Sequence, residues 1–197
     1  MTEIEWLPVG AKRIEYLQSD GNQWIDTNFK ATNGYIQECE CYLTTYTSIV
    51  TSHDPNNSAS NGYNRNYLEI SANAIQVCKC DHTNTFSFSF SLNTKYKLYL
   101  NTVGNNYICN VNDISIVNTT DNYIVNSLTS IKIFKIDWQD GKRAGRLYNL
   151  KIWNNTTELV RNFIPIRIGQ IGYLFDKITK QTFSNSGTGD FILGPDL

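Results

Sequence analysis

In Phe86-Ser-Phe-Ser-Phe-Ser91 a ring stands at every second position. That spacing puts Phe86, Phe88 and Phe90 on one side of an extended chain and the serines on the other. On a helix the same spacing would scatter the rings around the axis, so the period belongs to a strand. An exposed aromatic stripe could serve a ligand, but a row of that size would invite aggregation, and an inward-facing core strand over Thr85–Ser91 is expected.

The same rhythm extends both ways. Upstream, alternating or β-branched and aromatic runs cover Arg13–Leu17, Gln23–Phe29, Tyr35–Leu43, Ser48–Thr51, Tyr67–Ser71 and Ala74–Cys80. Downstream they cover Lys95–Asn101, Tyr107–Val111, Ile114–Asn118, Ser130–Ile136, Gly145–Trp153, Leu159–Arg167, Gly172–Asp176 and Gln181–Phe183. Asn, Gly, Ser and Asp clusters separate them and suit turns. Asn105-Asn106, Asn154-Asn155 and Gly187-Thr-Gly189 stand where tight turns need positive φ. No segment has sustained helical periodicity, and no repeat is visible. The reading is all-β, with residues 1–197 forming a single domain, since a sandwich of 197 residues buries a sizeable core undivided.

Seventeen basic and 18 acidic residues leave a net charge of −1. That near-neutral balance draws the chain to neither nucleic acid nor an anionic membrane, and partners should be chosen by contacts. The start, Met1-Thr-Glu-Ile-Glu-Trp-Leu-Pro8, has no basic region followed by an apolar one, so classical secretion is not expected. The sequons at Asn118 and Asn155 are then accidents of an Asn-rich composition.

The five cysteines fall as Cys39-Glu-Cys41, Cys78-Lys-Cys80 and Cys109. Two i, i+2 pairs could meet as a four-thiolate zinc site, but structural zinc favours wider C-x₂₋₄-C knuckles. Reduced thiols packed as small apolar residues are expected, with no metal and no cofactor. The two histidines, His53 and His82, each lie beside an aspartate, yet neighbours on a strand point to opposite faces, so neither suggests a catalytic pair. Walker, dinucleotide and nucleophile-elbow motifs are absent from the sequence.

Three stretches carry a family resemblance. Arg13-Ile-Glu-Tyr-Leu-Gln-Ser-Asp-Gly-Asn-Gln-Trp-Ile-Asp-Thr27 resembles the opening "EYIxSxGxQYIDTG" of a group of concanavalin A-like lectin/glucanase (LamG-like) domains. Gly145-Arg-Leu-Tyr-Asn-Leu-Lys-Ile-Trp153 with Leu159-Val-Arg-Asn-Phe-Ile-Pro165 resembles "RIYxxKIYxxGxLVRDFIP", although Asn162 stands where the family often has Asp. Ile171–Asp176 and Thr182–Gly189 resemble "GLYDxxxxxFYxNxGTG". The resemblance brackets the chain and implies a jelly-roll sandwich of two antiparallel sheets, in agreement with the strand rhythm. Such domains occur in gut bacterial proteins and in virion proteins of their phages.

Glycan-hydrolysing relatives carry Glu-x-Asp-x-x-Glu on one strand, so that two carboxylates face one cleft. The nearest string here, Lys135-Ile-Asp-Trp-Gln-Asp140, puts Lys at the nucleophile position, which argues against an enzyme. Binding residues are expected in loops at the sheet ends. Two stretches combine planar side chains with polar groups: Tyr63-Asn64-Arg65 in the long loop from His53 to Asn66, and Asp137-Trp138-Gln139. Trp138 could stack on a sugar face while Asn64, Asp137 and Gln139 hold hydroxyls, or it could fold back as a core plug. Trp24, Trp153 and Phe163, each within a family-like strand, are expected to be structural.

The expected function is a non-catalytic bacteriophage virion protein, a capsid decoration or a tail or fibre component, assembled in the host cytoplasm. Reduced cysteines and an Asn-, Ile-, Lys- and Tyr-rich composition suit that setting. Its partners would be other capsid or tail proteins, host surface glycans and further copies of itself. The alternative is a carbohydrate-binding module of a larger protein at a bacterial cell surface.

Overall fold

The computed structural model describes residues 7–53, 65–80, 82–123, 129–136 and 143–197. Within them the chain forms strands and turns and no helix, so no helix there is long and apolar enough to cross a membrane. The strands are β1 (Ala11–Arg13), β2 (Leu17–Asp20), β3 (Ile25–Asp26), β4 (Ile36–Leu43), β5 (Val50–His53), β6 (Arg65–Ile70), β7 (Ala74–Lys79) and β8 (His82–Ser87). They continue with β9 (Thr94–Asn101), β10 (Asn106–Val111), β11 (Ile114–Thr120), β12 (Lys132–Ile133), β13 (Ala144–Trp153), β14 (Leu159–Ile168), β15 (Ile171–Asp176), β16 (Thr182–Phe183) and β17 (Ile192–Leu193).

Two antiparallel sheets result. The larger runs β11-β10-β9-β4-β13-β14-β15-β16, with β2 beside the first half of β13, β17 on the other side of β2, and β1 on the end of β14. The smaller runs β3-β12-β5-β6-β7-β8. Alternation along each strand sends one row of side chains between the sheets. From the larger sheet come Cys39, Cys41, Leu98, Leu100, Leu150 and Phe163, and from the smaller Ile25, Val50, Leu68, Ile75, Val77 and Ile133, all in one buried cluster. Burying a single Leu- or Ile-sized side chain favours folding by about 1.5–3 kcal/mol, so this shared core holds the two layers together.

Phe86, Phe88 and Phe90 do turn to the core side, but the strand carrying them is an edge and its ladder ends at Ser87. Its partner β7 begins at Ala74, opposite Ser87, and offers no further residue in register. The amides of Phe88 and Phe90 donate instead to the carbonyls of Asn73 and Ala72, at 3.2 and 2.8 Å. Phe90 is buried against the Tyr96 ring, with centroids 5.0 Å apart.

The cysteines are all free thiols. Cys39 and Cys41 share the inward face of β4, whereas Val77 is the inward residue of β7 and Cys78 lies beside Tyr67 on the other face. Cys80 has φ 49°, so it leaves the strand and its pairing with Cys78 on one face is lost. The four thiols therefore do not converge. The residue between Cys78 and Cys80 ties the layers together instead. Lys79 follows Ile75 and Val77 on the inward face and is fully buried. Its ammonium donates to the carbonyls of Gly104 and Asn106 at 2.9 and 2.8 Å and to Asp121 Oδ1 at 2.7 Å, joining the smaller sheet to the turn before β10 and the end of β11.

The family-like stretches meet in space. Thr188 N donates to the Asn22 carbonyl at 3.0 Å, Ser186 N to the Trp24 carbonyl at 2.8 Å, and Trp24 N to Asn185 Oδ1 at 3.1 Å. A Cβ on Gly187 would stand 2.0 Å from the Asn22 carbonyl oxygen, so this clamp needs glycine. Asn162 acts through its backbone, its N–H donating to the buried Asp176 carboxylate at 2.8 Å and its carbonyl accepting from Lys177 N.

Candidate functional site

Ile25 and Ile133 are wholly buried, and alternation therefore turns their neighbours Trp24, Asp26 and Lys132 to the outer face of the smaller sheet. Asp26 and Lys132 are direct cross-strand partners, and Lys132 in turn pairs with Thr51 of β5. Beyond Asp26 the chain stays fixed to the segment before β12. Thr27 N and Oγ1 both donate to the Ile131 carbonyl, at 3.0 and 2.7 Å, and Ile131 N donates to the Phe29 carbonyl at 2.8 Å. The Asp26 carboxylate accepts from Asn28 N at 2.8 Å and holds Asn28 at φ 53°, which presents the Asn28 amide and then Lys30 to solvent.

These residues border a cleft of about 420 Å³, lined by Asp26, Asn28, Lys30, Thr129, Ser130 and Lys132. That volume lies within the range of small-ligand sites. The lining offers a carboxylate, an amide, two hydroxyls and two ammonium groups. Trp24, half-buried and packed on the core, is not itself a lining residue but lies beside one, Lys132. The ammonium groups of Lys135 and Lys132 lie 4.1 and 5.6 Å from the Trp24 ring centroid, within cation–π range. After Phe134, at φ 61°, the chain crosses toward the outer face, where the Thr51 hydroxyl donates to the Lys135 carbonyl.

Of the residues the sequence nominated, Arg65 is described. It opens β6 opposite His53 and reaches the phenol of Tyr67, two residues on and on the same face. Burial, helped by the Cys78 thiol, pushes that phenol up to about 12. Tyr63, Asn64, Asp137, Trp138 and Gln139 lie outside the described residues. The residues just before the second stretch lie toward Arg65, since the Lys135 carbonyl accepts from the Thr51 hydroxyl and Thr51 pairs with Tyr67, two residues from Arg65. Arg65 is at the start of β6, while Arg143 donates to Glu69 Oε1, four residues along that strand, at 3.2 Å. Asp26, Asn28, Lys30, Thr129, Ser130 and Lys132 were not nominated from the sequence. The usable signal was the alternation of Trp24-Ile-Asp-Thr-Asn28, in which the apolar Ile25 marks the inward side and leaves Trp24, Asp26 and Asn28 outward.

The larger sheet presents a different outer surface. Glu38 and Glu40 project from one face of β4 and meet lysines of β9 and β13: Glu40–Lys95 at 2.7 Å, Glu38–Lys97 at 3.6 Å and Glu38–Lys151 at 3.4 Å. Nearby, the Arg146 guanidinium lies between the rings of Tyr16 and Tyr42, at 4.4 and 4.6 Å, and donates to Gln18 at 2.7 Å. These groups satisfy one another and stitch β2, β4 and β13 together.

No protein-family model matches the sequence, and no curated protein matches it. Solved structures do. A protein from Bacteroides ovatus, to which carbohydrate binding has been ascribed, superposes with a TM-score of 0.62 at 10% identity, over 94% of this chain and 62% of that one. This chain thus spans less than two thirds of that protein. The native heptameric SAP-like pentraxin of Limulus polyphemus superposes with a TM-score of 0.55 at 10% identity, over 73% of this chain and 77% of that one. The fold is therefore the concanavalin A-like, pentraxin-like jelly roll that the resemblance implied.

Proposed function

We propose that this domain is a glycan-binding module that holds its ligand without transforming it, at the outer edge of the smaller sheet. The observation that carries the reading is a polar cleft of about 420 Å³, one of whose lining residues, Lys132, stands 5.6 Å from the Trp24 ring centroid. A sugar offers one apolar ring face and a rim of hydroxyls that both donate and accept, and the cleft supplies acceptors at Asp26 and donors at Asn28, Lys30 and Lys132. The fold shared with a protein credited with carbohydrate binding supports the same reading. Hydrolysis of a glycosidic bond uses two carboxylates set on either side of it, whereas Asp26 is the single acid lining this cleft among the described residues.

A glycan array tests the proposal. The domain should retain at least one oligosaccharide and release no product from it. Asn28→Gly, which keeps the left-handed backbone without strain, combined with Lys30→Ala, both at exposed positions, should weaken retention at least about tenfold with a melting temperature little changed, the loss of two good polar contacts. An array without any retained glycan, or retention indifferent to these changes, contradicts it. Attachment to a virion is a separate proposal with its own measurement: the gene should lie among capsid or tail genes. If the module belongs instead to a bacterial cell-surface protein, the native chain should carry further domains.

A further inference from the structure

We propose that the free edge of β8 is a self-association surface, where a second copy of this chain lays its own β8 antiparallel and joins two six-stranded sheets into one. β8 ends the smaller sheet: β7 pairs with one side of it, and no described strand pairs with the other. In an antiparallel ladder only alternate residues turn their N–H and C=O groups to a given neighbour, so every second residue of β8 offers both groups outward. His82, Thr83, Asn84, Thr85 and Ser87 are exposed, and Phe86 is part-buried. The strand is held extended from behind, because Phe86 packs on the core and Asn84 Nδ2 donates to the Tyr107 hydroxyl at 3.2 Å. A partner would therefore meet an edge that needs no further ordering.

Native edges are blunted by shortness, charge, proline or a bulge. The other sheet ends among the described strands show such devices. β3 and β16 pair over two residues each. β11 has a register shift against Cys109 and Asn110 and is flanked by Asp113 and Asp121. β8 has none of them: His82-Thr-Asn-Thr-Phe-Ser87 holds no Lys, Arg, Asp, Glu, Pro or Gly, and its register with β7 is unbroken from Lys79–His82 to Ala74–Ser87. Charge favours a second copy as the occupant. Self-pairing of β11 would bring the Asp113 end of one copy against the Asp121 end of the other. Self-pairing of β8 about Thr85 brings no like charges together, since the acid before the strand, Asp81, is answered after it only by Phe88-Ser-Phe-Ser91. β8 also lies at the far end of its sheet from β3 and β12, so the pairing leaves the cleft of each copy open and stands whether or not that cleft holds a glycan.

Sedimentation equilibrium of the whole domain in reducing buffer tests the proposal. A reversible dimer of twice 22.5 kDa should form, with micromolar affinity because one six-residue edge is a small interface. Thr85→Lys would set an ammonium against its own copy, and Thr85→Glu a carboxylate. Each variant should self-associate at least about fivefold more weakly, with its melting temperature within a degree or two of the parent, as expected of an exposed position. Mixed in equal amounts, the two variants should recover the dimer. A domain that stays monomeric at every soluble concentration overturns the inference. So does a dimer that both substitutions leave unchanged, or a mixture no more associated than its components.

Discussion

Single residues show where charge is tolerated in this fold. Lys79 is fully buried, yet two carbonyls and the Asp121 carboxylate complete the coordination of its ammonium. Removing one partner of a buried pair leaves the others desolvated and unmatched, which costs about 3–5 kcal/mol where both are fully buried and less here, with Asp121 one-fifth exposed. Lys79→Ala should therefore lower the unfolding free energy by roughly 2–4 kcal/mol in urea titration; a change below about 0.5 kcal/mol would show the cluster to be incidental. At the surface, Asp196 accepts two hydrogen bonds from Arg167, at 2.6 and 2.7 Å, with Lys12 at 3.3 Å. The Arg167 bonds above all hold its carboxyl down at about 2. A depressed carboxylate contributes stability in full above the ordinary carboxylate range and loses it as pH falls through the folded value. Carboxyl ¹³C NMR should find the Asp196 midpoint near 2, and Arg167→Gln should return it to the ordinary range.

At the level of elements, short strands do the positioning. β3 and β12 contribute two residues each to the ladder, but one residue of each enters the core, and that fixes which neighbours face the cleft. The turn at Asn185–Gly189 clamps the backbone of Asn22 to Trp24 and so sets the approach to β3. Gly187→Ala should force Asn22 aside, destabilise the domain by about 1–3 kcal/mol as overpacking does, and loosen glycan binding in the same variant. Phe163, wholly buried and packed edge-on to Phe183 at 5.1 Å, is the structural residue the sequence indicated. Its replacement by alanine should cost about 3–5 kcal/mol, checked by thermal or chemical unfolding. Trp24 and Trp153, half-buried at a sheet margin and a strand end, should cost less.

Strand positions were legible because alternation and turn residues are local properties. The longer ladders β4, β9, β13 and β14 fall within a residue or two of their expected bounds. Two things were not legible. The limit of β8 at Ser87 depends on where β7 begins, a non-local fact. That Cys78 and Cys80 do not continue one alternating strand was not legible either, because Cys80, in the left-handed region, turns the chain out of the strand. The cleft was missed for a related reason: Asp26 and Lys132 are 106 positions apart in sequence and become neighbours only through the β3–β12 pairing. Nothing in either segment alone marks a site, whereas loops rich in Asn and Trp drew attention by composition.

Taken whole, the molecule is a sandwich whose two outer surfaces differ in how their charges are arranged. The larger sheet pairs Lys95, Lys97 and Lys151 with Glu38 and Glu40, and the smaller borders a cleft that Asp26, Asn28 and Lys30 help to line. Far-ultraviolet circular dichroism should show strand signal and helix well below a fifth of the residues; more helix than that would contradict the architecture itself. Chemical-shift mapping with an oligosaccharide retained on an array decides whether ligand binding belongs to the edge formed by β3 and β12. The perturbed amides and side chains should centre on Trp24, Asp26, Asn28, Lys30, Ser130 and Lys132, including the Trp24 indole N–H. Perturbations centred instead on Tyr16, Tyr42, Arg146 and Tyr148 across the larger sheet, with the cleft unchanged, would place the site on the wrong face and contradict the proposed function.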